Sequence, residues 1–220
     1  MTTPTGWARA FRVASRVRGE RAIHAKGSTF AATVQVCGSL GLGLRPLDEP
    51  ARYHAVARFS RAVGLPDALP DFLGLAVRLM DAGGPGEHQN LLMDTGAVPP
   101  VLRNLPLPSR DLLGSSYSTL LPYAIGGRRR LLGAQPLDHR TVRASAELEQ
   151  ERRSACSSTQ TGAWQPWGEL RCGAVLPAPA GRQVRFSPHR GGGGLVPVGR
   201  LRLNDWRRGA YEASHVGPDA

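Results

Sequence analysis

The stretch RAIHAKGSTFAATVQV, residues 21–36, indicates the fold of the first half of the chain. From residue 22 onward it is rich in Ile, Thr and Val, a composition that predicts a β-strand. A second strand is predicted at 53–63, around the sequence ARFS of residues 57–60, and two more at 72–80 and 89–94. Glycine and proline turns separate these segments, so they predict an antiparallel sheet or barrel.

The second half of the chain mixes helical and strand patterns. Ser109 and Asp111 favour a helix that runs through Leu112, Leu113 and Leu120. Residues 126–153 predict an exposed segment, 167–176 and 182–186 predict strands, the glycines of 191–194 predict a hairpin or loop, and 203–214 predict a helix. This order of elements indicates an α+β fold.

The whole chain, 1–220, is predicted to form a single domain. Its 220 residues, of which 41% are apolar, are enough to bury a core and too apolar for general disorder. Within the domain we expect an N-terminal helix (1–20), the first barrel strands (21–100), a helical or loop segment (101–155), the last strands (156–190) and a C-terminal helix (200–215).

The net charge of +11 raises the possibility of nucleic-acid binding. Lys26 is the only lysine, however, and the arginines are scattered, with one adjacent triplet at 128–130. Nucleic-acid binders usually concentrate basic residues and interleave them with aromatic side chains. We therefore predict that the chain does not bind nucleic acid.

The cysteines and the apolar runs bear on the cellular compartment. Cys37, Cys156 and Cys172 contain no CxxC spacing, which argues against a disulfide framework and is typical of a reducing cytoplasm. No apolar run approaches the roughly 20 residues that a membrane-spanning helix needs. We predict a cytoplasmic protein.

Apolar residues recur at helical spacing near the N-terminus, with arginines between them. The apolar set is Trp7, Phe11, Ala14 and Val17, and the arginines are Arg9, Arg12 and Arg16. We interpret this stripe as the packing face of an N-terminal helix. Peripheral contact with a membrane surface is the alternative.

Several kinds of catalytic site have no support in the sequence. No histidines occur at HxxxH or HxH spacing, the GxSxG sequence of a nucleophile elbow is absent, and the glycines of 191–194 lack the Lys-Ser/Thr of a phosphate loop. These absences argue against a hydrolytic metal centre and a serine hydrolase.

The sequences RAIHAKG (21–27) and ARFS (57–60), in this order and at this separation, resemble those of the catalase-like haem protein family, of which this chain looks like a shortened member. In that family a strand with R-x-x-H-A-x-G presents a distal histidine to the haem, and the next strand carries R-F-S, whose arginine reaches a haem propionate. The resemblance implies a catalytic His24 and a haem-binding Arg58, with Arg21 and Ser60 in supporting places. It also implies an antiparallel β-barrel of the catalase core type, reduced in size, with flanking helices.

Two further segments resemble family landmarks. The sequence NLLMDT, residues 90–95, puts Thr95 where the family has a distal asparagine, so the resemblance implies a catalytic Thr95. The sequence RRGAY, residues 207–211, has the R-x-x-x-Y spacing of the axial ligand. It implies that Tyr211 is the iron ligand and that Arg207 supports it by a charge-assisted hydrogen bond.

The implied activity is haem-dependent processing of hydrogen peroxide or an organic hydroperoxide by haem b iron, with His24 moving a proton between the peroxide oxygens. A short chain would leave the haem open to large substrates, which favours organic hydroperoxides. The alternative is a haem-free catalase-like barrel that acts as a binding or structural protein. Short relatives are sometimes labelled phosphodiesterases, but no residues here support hydrolysis. A homo-oligomer is left open.

Overall fold

A computed structural model describes residues 26–38, 41, 43–96, 106–119, 121–137, 152–159, 165–187 and 191–198 of the chain. Antiparallel β-strands dominate these residues, and the helices are few and short. The strands are β1 (Lys26–Val36), β2 (Ala51–Arg61), β3 (Leu73–Gly84), β4 (Glu87–Thr95), β5 (Tyr117–Ser118), β6 (Tyr123–Ile125), β7 (Arg128–Pro136), β8 (Arg152–Thr159), β9 (Gln165–Val175) and β10 (Val196–Pro197). The helices are α1 (Arg45–Asp48) and α2 (Ala178–Gln183).

The strands form one sheet in the order β10-β6-β7-β5-β4-β3-β2-β1-β9-β8, and β7 also pairs with β8. Strands β1 to β4 follow one another as an antiparallel meander. The strands predicted at 53–63, 72–80, 89–94 and 167–176 are confirmed, as is the described part of the strand predicted at 22–36. These segments share long alternations of apolar and polar residues, which is the pattern that predicts strands most directly.

Alternation divides the meander into two faces. On the face that we call the core face, buried apolar side chains from successive strands pack together, among them Phe30, Phe59 and Leu75. The Phe30 and Phe59 rings meet edge to face at 5.9 Å, and Phe59 and Tyr117 at 6.1 Å. Such ring pairs add about 0.5–1.5 kcal/mol each beyond the burial of their area. The core face therefore sets the register of the meander.

The helix predicted from Ser109 and Asp111 is wrong. The Asp111 carboxylate does accept hydrogen bonds from the backbone N–H groups of Leu113 and Gly114, at 3.0 and 2.8 Å, as a helix cap would. The turn stops there, and Tyr117 pairs with β4 and β7 as part of β5. Pairing with two strands outweighs helix propensity, which glycine and serine weaken at residues 114–116.

Two other predicted segments are also wrong. Much of the segment predicted as exposed at 126–153 is strand: β7 pairs with β5, β6 and β8, and its Leu132 and Ala134 are buried. The strand predicted at 182–186 is partly helix α2, which starts after Pro177, and the residues that follow are irregular. A predicted helical character for 101–155 therefore fails wherever the structure describes that segment.

The glycines of 191–194 form a loop, as predicted, and a buried side chain anchors it. Gln89 is 0% exposed, its Nε2 donates to the Leu195 carbonyl at 3.3 Å, and its Oε1 accepts from the Leu195 N–H at 3.2 Å. A Cβ on Gly192 would come within 2.5 Å of the Cβ of Glu87. The glycines are thus explained by close packing.

The predicted helices at 1–20 and 200–215 lie outside the described residues, so they stay predictions. Within the residues that the structure describes, no helix has the length and apolar character needed to cross a membrane.

Candidate functional site

The second face of the meander, which we call the polar face, carries Thr29, Arg58, Ser60, Arg78 and Asn90. Four of them are strongly buried: Thr29 is 3% exposed, Arg58 7%, Ser60 5% and Asn90 2%. Burying polar groups costs free energy unless they are hydrogen-bonded, and a charged guanidinium costs most. A cluster of this kind is a better candidate for function than the apolar core face.

Arg58 lies at the centre of this cluster. It is the register partner of Thr29, and its Nη1 donates to the Thr29 Oγ1 at 3.2 Å. The Thr29 hydroxyl in turn donates to the carbonyl oxygen of Gly181 in α2, at 3.3 Å. Helix α2 therefore lies over this end of the polar face and holds the Arg58 side chain in a defined position.

The two sequence segments that carry the family resemblance lie side by side. Gly27, the last residue of RAIHAKG, is the register partner of Ser60, the last residue of ARFS. The strands approach so closely here that a Cβ on residue 27 would come within 2.3 Å of the Phe59 carbonyl oxygen. The glycine is therefore required by the pairing of the two segments.

Arg78 extends the polar face toward β4. Its Nε donates to the Asn90 Oδ1 at 2.9 Å, and its Nη2 donates to the Arg185 carbonyl oxygen. The guanidinium carbon lies 5.4 Å from the centroid of the Phe186 ring, within the range of a cation–π contact. The chain after α2 is thus fastened over the polar face by Arg78.

A second buried arginine, Arg61, belongs to the core face. Its Nη2 donates to the Leu69 carbonyl at 2.6 Å, and its Nε lies 3.7 Å from the Oδ2 of Asp71. The Asp71 carboxylate accepts three backbone N–H groups of the adjacent loop: those of Val63, Gly64 and Leu65. This pair therefore fixes the loop between β2 and β3.

The environment of Asp71 shifts its acidity. Burial opposes ionisation, but it is outweighed by backbone N–H donors that stabilise the carboxylate, and the net effect is a lowered pKa of Asp71. The donors belong to Val63, Leu65, Gly64 and Phe72. Asp71 is consequently a carboxylate that the fold needs in its charged form.

Thr95 does not lie with Arg58 and Ser60. It is the register partner of Tyr117, on the core face, and is 2% exposed. Its hydroxyl accepts a hydrogen bond from the Leu73 N–H at 3.1 Å and donates to the Leu107 carbonyl at 2.6 Å. These two bonds give Thr95 a structural role that joins three segments. Asp94, one residue earlier, faces the polar side.

The other predicted site residues, Arg21, His24, Arg207 and Tyr211, lie outside the described residues. Among the residues that are described, no group of three or more His, Cys, Asp or Glu side chains could hold a metal ion.

The strand order and this pairing of segments can be compared with known proteins. The fold is catalase-like. Catalase A from Saccharomyces cerevisiae superposes with a TM-score of 0.68 at 10% identity, over 90% of this chain and 61% of that chain. A fungal catalase superposes with a TM-score of 0.69 at 11% identity, over 91% of this chain and 60% of that one. This chain thus spans about three fifths of these catalases, and at such low identity the likeness shows the fold alone.

No protein-family model and no curated protein sequence matches the chain. The catalase-like fold is thus seen in the backbone, whereas sequence similarity is confined to short segments. Thr29, Arg78 and Asn90 were not predicted as site residues. Strand alternation is the signal that could have found them, since all three share a face with Arg58.

Proposed function

We propose that this protein binds haem and uses it to process hydroperoxides. The observation that carries the proposal is the pairing of Gly27 with Ser60 and of Thr29 with Arg58. It aligns the segment with the distal histidine motif against the segment with the propionate-binding motif, within a catalase-like fold. Fold and motif are independent of each other, because the structural likeness holds at 10% and 11% identity.

The donor set of the polar face fits the acidic edge of a haem. A guanidinium forms strong, charge-assisted hydrogen bonds with carboxylates, and the buried Arg58 offers one beside the hydroxyls of Thr29 and Ser60. Arg58 would therefore hold a propionate, with Arg21 as a second cation. Tyr211, supported by Arg207, would be the iron ligand.

Haem, when bound, supplies redox chemistry at iron, including cleavage of a peroxide O–O bond. The part of the protein is to position the substrate and move its proton. His24 would take the proton from the inner oxygen of the hydroperoxide and return it to the outer oxygen. Thr95 is left out of this scheme, because both functions of its hydroxyl are engaged on the core face.

The barrel architecture belongs to the same proposal. Strand β8 pairs with β9 on one side, with Cys156 opposite Gly168, and with β7 on the other side, with Gly133 opposite Ser157. These two pairings support closure of the sheet through β8. We also propose one domain, a cytoplasmic location and a hydroperoxide substrate that is organic, because a chain of this length would leave a wide approach to the iron.

The test is the visible spectrum of protein purified from cells supplied with a haem precursor. We expect a Soret band that is lost or shifted in Tyr211→Phe and unchanged in the control Tyr53→Phe. We expect His24→Ala to keep the band and to lower hydroperoxide turnover about 100-fold or more, whereas the control His54→Ala, on exposed β2 sequence, keeps both.

Absence of a Soret band, even after hemin is added to folded protein, would overturn the proposal. The chain would then be better described as a haem-free catalase-like fold that binds another ligand or partner. A Soret band that Tyr211→Phe leaves unchanged would retain haem but remove Tyr211 as its ligand.

A further inference from the structure

One register row on the polar face is built almost entirely from small residues. It crosses six neighbouring strands, β1, β2, β3, β4, β5 and β7. Its members are Gly27, Ser60, Gly74, Asp94, Ser118 and Gly133. Glycine and serine rise little above the backbone, so this row forms a low floor beside Arg58. Such a floor lets a flat molecule approach the sheet.

Ser118 makes this row more than a stripe of small residues. It is 2% exposed, and its Oγ has no hydrogen-bond partner in the part of the chain that the structure describes. A buried hydroxyl without a partner costs about 1–3 kcal/mol, so native proteins rarely leave one unsatisfied. Alternation points this hydroxyl to the same side as Asp94 and Gly133, its register partners. An atom that is not protein is therefore expected to bind it.

The position of Ser118 relative to Arg58 indicates what that ligand is. Three strand spacings separate β2 from β5, which is about 14 Å at 4.7–4.9 Å per spacing. A single ligand that touches both must be extended, flat enough for the floor, and acidic at the end that meets Arg58. A carboxylate-bearing macrocyclic ring has these properties.

We propose that Ser118 is a further ligand-binding residue of the polar face, and that its hydroxyl hydrogen-bonds a flat, carboxylate-bearing tetrapyrrole lying across the row. This inference rests on the proposed function, since it concerns the same face. It differs in needing no iron ligand and no peroxide chemistry.

Iron-free protoporphyrin IX is the probe that separates the two proposals. Its binding to the apo-protein is followed by quenching of tryptophan fluorescence, for which the chain has four tryptophans. We expect Ser118→Ala to weaken binding about 5–10-fold, the value of one neutral hydrogen bond. The unfolding temperature of the apo-protein should stay the same or rise, because the variant removes an unsatisfied buried group.

Thr119→Val is the matched control, because it changes the neighbouring hydroxyl on the other face. Thr119 is 3% exposed, and its Oγ1 accepts the Leu132 N–H at 3.2 Å. We expect this variant to lower the unfolding temperature and to leave porphyrin affinity unchanged. The two neighbouring substitutions should thus have opposite signatures.

The outcomes are distinct. If Ser118→Ala binds the porphyrin as tightly as wild type, or if wild type does not bind it at all, the inference fails and the hydroxyl holds only water. If porphyrin binding depends on Ser118 but hemin gives neither a tyrosinate spectrum nor hydroperoxide turnover, the inference stands and the proposed function fails.

Discussion

Two buried arginines lie three positions apart on β2 and serve different purposes. Arg61, 5% exposed, is held by Asp71 and by carbonyl groups of the loop that follows the strand. Arg58, 7% exposed, faces the opposite side and donates to the hydroxyl of Thr29 under helix α2. An odd spacing in a strand places two side chains on opposite faces. Burial of an arginine therefore does not by itself indicate function.

The difference lies in what surrounds each guanidinium. Around Arg61 the partners are a buried carboxylate and backbone groups of a single loop, which is a structural arrangement. Around Arg58 the surface consists of hydroxyls and small residues, and it extends across several strands. We expect substitutions near Arg61 to affect stability and substitutions of Arg58 to affect ligand binding.

The largest effect is expected at the partner of Arg61. Asp71→Ala should lower the free energy of unfolding by about 3–5 kcal/mol, because it leaves Arg61 and three loop N–H groups without their acceptor. Urea unfolding measures this change, and Asp71→Asn offers a milder variant if Asp71→Ala does not fold. The control is Asp67→Ala, whose side chain is 93% exposed and lies 3.9 Å from Arg61. A loss below about 1 kcal/mol at Asp71 would remove the structural role.

A smaller effect, on a different property, is expected at Arg58. Arg58→Met should weaken hemin binding about 10–100-fold, since hydrogen bonds to charged groups contribute about 1.5–3 kcal/mol. Its free energy of unfolding should fall by no more than about 1.5 kcal/mol, for the lost bond to Thr29. Arg52→Met, at an exposed position of β2, is the control. Unchanged affinity with a large loss of stability would make Arg58 structural, like Arg61.

The sequence predicts the meander well because its strands are long. Nine or more residues in β1 to β4 alternate clearly, and alternation specifies both the strand and its buried face. It does not predict β5, whose two residues, Tyr117 and Ser118, are too few to show a period. Nor does it predict α2, which has the sequence APAGRQ and no apolar stripe. Both elements depend on contacts with distant parts of the chain.

The candidate site was predictable in part. Arg58 and Ser60 are found through a short motif, and the structure places them on one face. Thr95 was assigned by its position in an alignment of NLLMDT, but alternation puts its neighbour Asp94 on that face. Ser118 was missed because a serine in a strand resembles a solvent-facing residue until its burial is known. Face assignment, more than residue type, was the information missing from the sequence.

The smallest expected effect concerns acid, and it again separates the Arg61 region from the Arg58 region. The pKa of Asp71 is lowered in the folded protein, whereas the unfolded chain keeps the ordinary value of 3.8. The unfolded state then binds the proton more readily, so Asp71 stabilises the fold fully above the ordinary value. This stabilisation is lost as the pH falls below 3.8 and through the folded pKa.

Urea unfolding of wild type and Asp71→Asn at a series of pH values measures this contribution. We expect the difference in unfolding free energy to be constant above about pH 5 and to shrink progressively in more acid solution. Arg58→Met, which leaves the Asp71 loop intact, should follow the acid dependence of wild type. A difference that stays constant down to acid pH would mean that Asp71 titrates alike in both states. Its backbone donors would then contribute nothing specific to the carboxylate, and the contrast between the two arginines would rest on geometry alone.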